Sequence, residues 1–245
     1  MNTILLYEKL PFLPSIREER REQILEYFKT APDWLADFFK VEYLPARTVF
    51  VREGYPADYV YLIADGIVKA TDYRVLGTEF DFILFDKVYA LGGMEVLMRM
   101  PKYRTTLTTA TNCNIVRIPR AQYESWLLND LEALKHESGL TCEYLLEQAR
   151  LARAYLFLQG EDRLAMLLVS KYEKYAKDGV YYARSNRRSL ANEAGLSIKT
   201  TSRAVKQLAE DSLITAYERS LSVNEEQYLK LRERIGKVID CNELH

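Results

Sequence analysis

Lys199, Arg203 and Lys206 are spaced four and three residues apart, in a stretch where Thr201, Ala204, Val205 and Leu208 form a second, largely apolar set. On a helix the two sets separate onto different sides. A helix with one apolar and one basic side can rest on a protein core while its other side enters the major groove of DNA. Just upstream, Ser197 is placed to N-cap this helix, Gly195 supplies a positive-φ turn, and Asn186 is placed to N-cap a shorter preceding helix. This is the grammar of a helix-turn-helix. Its chemistry is recognition, with cationic groups donating to phosphates and base edges.

The charge distribution agrees. The chain has 245 residues and a net charge of −1, yet residues 180–206 hold Arg184, Arg187, Arg188, Lys199, Arg203 and Lys206 against the single acid Glu193. That local charge of +5 leaves about −6 elsewhere, an asymmetry that marks a nucleic-acid-binding segment in an otherwise acidic protein. Beyond the second helix, Leu213-Ile214-Thr215-Ala216-Tyr217, the turn Glu218-Arg219-Ser220 and Leu221-Ser222-Val223 read as a hairpin, placed as a wing. Asn224 then caps an added helix reaching to about Ile239. The alternative reading is a helix pair whose basic residues are merely solvated, in a ligand-binding or protein-interaction module that meets no DNA.

Other elements must position this segment. Residues 15–40 carry a helical pattern (Ile16, Ile24, Leu25, Phe28, Leu35, Phe38, Phe39) interrupted near Pro32. From Val41 to Trp126 the texture changes to short β-branched and aromatic runs punctuated by Gly, Pro and Asp-Gly turns, which predicts an antiparallel sandwich or barrel. From about Tyr123 helical sequence without proline runs to Gln159, with only Gly139 interrupting it. Within it Cys142, Leu145, Ala149, Ala152 and Leu156 recur at spacings of 3, 4, 3 and 4, the period of a two-helix seam. That stripe either joins two copies of the chain or packs on the chain's own sandwich. A further helix over 162–176 ends at Asp178-Gly179. The expected organisation is α+β: N-terminal helices and a β-sandwich over 1–126, a long helix over 127–159, and a winged helix-turn-helix with an added helix over 160–245.

Over residues about 40 to 223 the chain resembles the Crp/Fnr superfamily of transcription regulators. The likeness rests on Gly195-Leu-Ser-Ile-Lys-Thr-Thr-Ser-Arg203 with Leu208 and Leu213-Ile214, similar to that family's recognition helix and following strand. It rests also on Arg47-Thr48, Gly54, Tyr61-Leu-Ile, Gly66-Ile-Val-Lys69 and Arg104-Thr105, similar to its cyclic-nucleotide-binding jelly roll. The resemblance implies a bacterial homodimer with the long helix at the interface, a palindromic operator in double-stranded DNA, and RNA polymerase as a further partner. It places Arg187 on a phosphate and Ile198, Lys199 and Arg203 at base-reading positions, within a DNA face that also includes Ser197, Thr200, Ser202 and Lys206. Ile198 departs from the family, because an aliphatic side chain cannot make the bidentate guanine contact of an arginine, although it can meet a thymine methyl.

Nucleotide-binding members pair a Gly-Glu, whose carboxylate holds the ribose hydroxyl, with an Arg-Ser or Arg-Thr that holds the cyclic phosphate. Here Leu91-Gly92-Gly93-Met94-Glu95 puts Gly93 where that Glu belongs, while Arg104 and Thr105 remain. On a strand, Glu95 would share the side of Gly93 and could replace it in part. The base-contacting positions fall near Gln148 and Ala149, and Ala149 has no hydroxyl to offer. Loss of cyclic-AMP response is therefore expected, with a small anion at Arg104 as the remaining candidate effector; the alternative is a vestigial pocket in which Arg104 pairs with an acid such as Glu95.

No other cofactor or chemistry is expected. Cys113, Cys142 and Cys241 are too few for an iron–sulfur site and form no CxxC, which also suits a reducing compartment. His136 is the sole internal histidine and reads as a surface position, which leaves haem, metal and triad chemistry without support. GxSxG, P-loop, HExxH and GxGxxG motifs do not occur. The apolar runs at 59–64 and 164–169 are six residues long, against about 20 for a membrane helix. The N-terminus has no secretory signal pattern, and a cytoplasmic location is expected.

Overall fold

The computed structural model describes residues 1–75, 78–183, 187–218 and 220–236, with side chains for all of these except 72–83, 151 and 154–157. The chain divides into two compact units that meet within one long helix, the first built on residues 1–73 and 81–146, the second mainly on the residues from 147 onward.

In the first unit, α1 (Thr3–Lys9) and α2 (Glu18–Tyr27) precede a 3₁₀ stretch at Asp33–Phe38, and Pro32 separates the last two as the sequence implies. Sequence reading did not anticipate α1. The strands are β1 (Lys40–Leu44), β2 (Val49–Val51), β3 (Tyr59–Asp65), β4 (Val68–Val75), β5 (Thr78–Phe85) and β6 (Ala90–Leu91). After them come a short helix α3 (Gly93–Leu97), then β7 (Thr106–Thr109), β8 (Cys113–Pro119), α4 (Arg120–Asn129) and α5 (Leu131–Phe157). The strands form two four-stranded sheets, in orders β1-β8-β3-β6 and β2-β7-β4-β5.

The apolar run at 59–64 is continuous because β3 is buried on both faces. Tyr61 and Ile63 join Val51, Val68, Leu107 and Ile115 in the core shared by both sheets. Val60, Leu62 and Ala64 face the opposite way, into a core closed by Leu6, Ile24, Phe28, Tyr123 and Trp126 of the covering helices. One expectation fails here. The helical sequence after Tyr123 is two helices, because Asp130 adopts an extended conformation and its Oδ1 accepts from the N–H groups of Glu132 and Ala133, capping α5.

The second unit continues from α5 with α6 (Gly160–Tyr175), β9 (Val180–Ala183), α7 (Arg187–Ala194), α8 (Ile198–Glu210), β10 (Thr215–Ala216), β11 (Leu221–Asn224) and α9 (Glu225–Gly236). Its core gathers Leu164 and Leu168 of α6, Leu190 of α7, Ala204, Val205 and Leu208 of α8, Val223 of β11, and Leu231 and Ile235 of α9. The expected hairpin is β10–β11, and the structure enlarges it to three antiparallel strands because β9 pairs along β11, Val180 opposite Asn224 and Ala183 opposite Leu221. The fold is thus α+β, a jelly-roll sandwich followed by a winged helix-turn-helix unit.

Candidate nucleic-acid interface and ligand cassette

The local structure around α8 follows its sequence closely. Gly195 has φ +63° and turns the chain between α7 and α8. Ser197 Oγ accepts from the Thr200 N–H at 3.0 Å, and the Thr201 hydroxyl donates to the Ser197 carbonyl at 3.0 Å. Thr201, Ala204, Val205 and Leu208 are buried, whereas Ser197, Ile198, Lys199, Ser202, Arg203 and Lys206 are exposed and Thr200 is half-buried. The expected separation of faces is therefore realised in three dimensions. Lys206 makes an exposed pair with Glu210 at 3.7 Å, a contact too weak to withdraw it from another partner. Arg187 opens α7 and is half-buried. Asn186, Arg184 and Arg219 lie outside the described residues.

On α5, Ala133, Glu137 and Thr141 are buried, and Tyr144 packs edgewise and tilted against Tyr89 and Phe85. The stripe Cys142, Leu145, Ala149 and Ala152 is a different side of the helix and is exposed, with Leu145 at 47%. Its last member, Leu156, has a side chain outside the described residues. The helix thus packs on its own sandwich through residues other than the stripe.

The Gly-Gly cassette corrects the sequence reading. Gly92, at φ +100°, starts a helix, so Gly93 and Glu95 lie on α3 and not on a strand. At about 100° per residue, two positions on a helix point roughly 200° apart. Glu95 therefore does not share the side of Gly93. It is buried, and its Oε1 accepts from the Arg104 backbone N–H at 3.1 Å. The Arg104 side chain is exposed and Thr105 half-buried. Arg120 buttresses the cassette from behind, its guanidinium donating to the carbonyls of Met100 and Glu95 at 2.5 and 3.1 Å.

Gly93 lies against a group that sequence reading missed. A Cβ at this position would collide with Glu137 Oε1. Glu137 is 2% exposed, and its Oε2 accepts from the Tyr27 hydroxyl at 2.7 Å. The Tyr27 and Tyr123 hydroxyls also make a short contact of 2.5 Å, in which either oxygen can donate. Two phenols are thus the partners of a buried carboxyl, and among the described residues it makes no ion pair. Burial pushes the carboxyl up to about 7 against the pull of both phenols, and raises the two phenols as well. The available signal was an acid within the apolar periodicity Ala133, Glu137, Leu140. His136 beside it is exposed, as expected.

In sequence, residues 41–130 match the cyclic nucleotide-binding domain family. Over 194 residues the chain is 21% identical to the cAMP-activated global transcriptional regulator CRP of Haemophilus influenzae, spanning 78% of this chain and 87% of that protein. Among solved structures it is similar to the c-di-GMP responsive global regulator CLP of Xanthomonas campestris, with TM-score 0.68 and 22% identity over 84% of this chain and 98% of that one. A Crp/Fnr family transcriptional regulator from Eubacterium rectale superimposes with TM-score 0.70 at 11% identity, covering 92% of this chain and 99% of the other. At these identities the structural likeness is one of fold. Among the described residues no helix is long and apolar enough to cross a membrane.

Proposed function

We propose that the chain is a transcription regulator of the Crp/Fnr superfamily, a homodimer that binds a palindromic operator in double-stranded DNA without help from cyclic AMP. The observation that carries this reading is α8 itself, whose apolar side is buried while Ile198, Lys199, Ser202, Arg203 and Lys206 stand exposed on a capped helix. In this reading Arg187 binds a phosphate, and Ile198, Lys199 and Arg203 meet base edges flanked by Ser197, Thr200, Ser202 and Lys206. The exposed stripe of Cys142, Leu145, Ala149 and Ala152, continued by Leu156, is the side by which two long helices join. A two-fold axis between the chains makes the operator palindromic. RNA polymerase is the further partner, in the cytoplasm.

Nucleotide independence rests on the cassette. Gly93 offers no carboxylate to a ribose, the Glu137 carboxyl stands where a side chain there would begin, and Glu95 occupies the backbone N–H of Arg104. A small anion at Arg104 and Thr105 is the remaining effector candidate, and such a ligand acts only by binding the DNA-competent arrangement more tightly than the other.

The test is selection from random duplex DNA by the purified protein at two salt concentrations, with and without cyclic AMP. The expected result is a palindrome whose recovery falls with salt, because phosphate contacts release counterions, and ignores the nucleotide. A palindrome recovered only with cyclic AMP would overturn nucleotide independence. Recovery of no sequence at either salt would favour the protein-interaction module instead.

A further inference from the structure

Arg234, on the added helix α9, holds three carboxylates at once. Its Nε donates to Asp162 at 2.9 Å, Nη2 to Glu161 at 2.9 Å and Nη1 to Asp211 at 3.5 Å. Glu161 and Asp162 form the first turn of α6, and Asp211 is the C-cap of α8. The first two acids have a second neighbour. Together with Gln159, Thr200, Arg203 and Ala204 they line a cavity of about 410 Å³, so the carboxylates stand between the Arg234 guanidinium and the space that Arg203 shares. Arg203 is exposed and, among the described residues, forms no ion pair. Arg234 is 28% exposed, and Asp162 and Glu161 raise its affinity for its proton against the cost of burial.

We propose that Arg234 is a positioning residue for DNA recognition, which keeps Glu161 and Asp162 engaged and so leaves the Arg203 guanidinium available to a base edge. The inference rests on the DNA-binding reading of α8. The physical argument is competition for a fork. A guanidinium pairs with carboxylates through parallel charge-assisted hydrogen bonds, the same geometry it uses on a guanine edge. With Arg234 in place both acids of the α6 first turn have a partner. Without it they face Arg203 across the cavity, and a base must displace them. Two further contacts keep α9 in register with α6. Tyr228 stacks on Tyr172 with centroids 4.3 Å apart, and its hydroxyl donates to Glu173 at 2.8 Å.

The test is a double-mutant cycle on the full chain, measuring Kd for the palindrome that the wild-type protein selects. Arg234→Ala is expected to weaken binding about tenfold, a loss of about 1.4 kcal/mol, and to cost less than about twofold when Arg203→Ala is already present. Adding Glu161→Gln and Asp162→Asn to Arg234→Ala is expected to restore binding, which a merely structural role would not do. Equal losses from Arg234→Ala in both Arg203 backgrounds, or no recovery on neutralising the two acids, would overturn the role of Arg234 while leaving the DNA reading intact. A wild-type chain that selects no duplex would remove that reading and this proposal with it. If Arg234→Ala lowers the melting temperature below the assay range, Arg234→Lys, which keeps the charge without the fork, carries the same cycle.

Discussion

In the proposed reading, Arg203 and Arg187 carry the same charge but do different work. Arg203 projects from the exposed side of α8, and Arg187 is half-buried where α7 begins. Replacing Arg203 by Ala is expected to cost about 1–3 kcal/mol on the selected site and to relax preference at one base pair per half-site, whereas Arg187→Ala should weaken every duplex alike. Parallel titrations of matched and scrambled duplexes distinguish the two, and equal effects on all DNA would abolish the division. Glu137 is a residue of another kind, a carboxyl whose folded form keeps its proton to about pH 7 instead of the usual 4.5. Its contribution to stability is complete below about pH 4.5. It is lost as the pH rises to 7, because the unfolded chain ionises first. Denaturant titrations at pH 5 and pH 7.5 should show Glu137→Gln removing roughly 2–4 kcal/mol of that pH dependence; an unchanged dependence would mean that other groups govern it.

At the scale of elements, α5 has two sides in different surroundings. The side bearing Ala133, Glu137 and Thr141 is buried in the first unit, while the stripe through Cys142 and Leu145 is exposed. In the proposed dimer a charge placed on the stripe disturbs association and leaves the chain's own core alone. Leu145→Asp is expected to convert a dimer into a monomer in sedimentation without lowering the melting temperature of the chain's own fold. A variant that stays dimeric would move the interface elsewhere. The α8 element shows the complementary lesson, since cap, turn and amphipathic side all point to one structure and the helix forms as its residues dictate.

At the scale of the molecule, residues 41–130 match the cyclic nucleotide-binding domain family while the cassette is tied up by its own side chains. Glu95 takes the Arg104 N–H, and Arg120 takes the Met100 and Glu95 carbonyls. A ligand that binds only the folded state raises the melting temperature by mass action. Cyclic AMP is expected to leave the melting temperature unchanged up to millimolar concentration, and a concentration-dependent rise would show that the cassette still opens to it.

The parts legible in the sequence are those governed by near neighbours along the chain. Helix periodicity, the Ser197 cap, the Gly195 turn, the Asp178-Gly179 turn and the basic side of α8 each depend on residues within a turn or two, so local spacing determines them. The change from helix to strand texture at Val41 was legible for the same reason. What tertiary structure alone decided involves groups far apart in the chain. Gly93 meets Glu137 across 44 residues, and Arg234 reaches Asp162 across 72. The helical form of the Gly92-Gly93 cassette, misread as strand, is set by a positive φ at Gly92 and by the tethers of Arg120 and Glu95. No spacing rule encodes such contacts, because burial and close approach are properties of the packed chain and not of its neighbours in sequence.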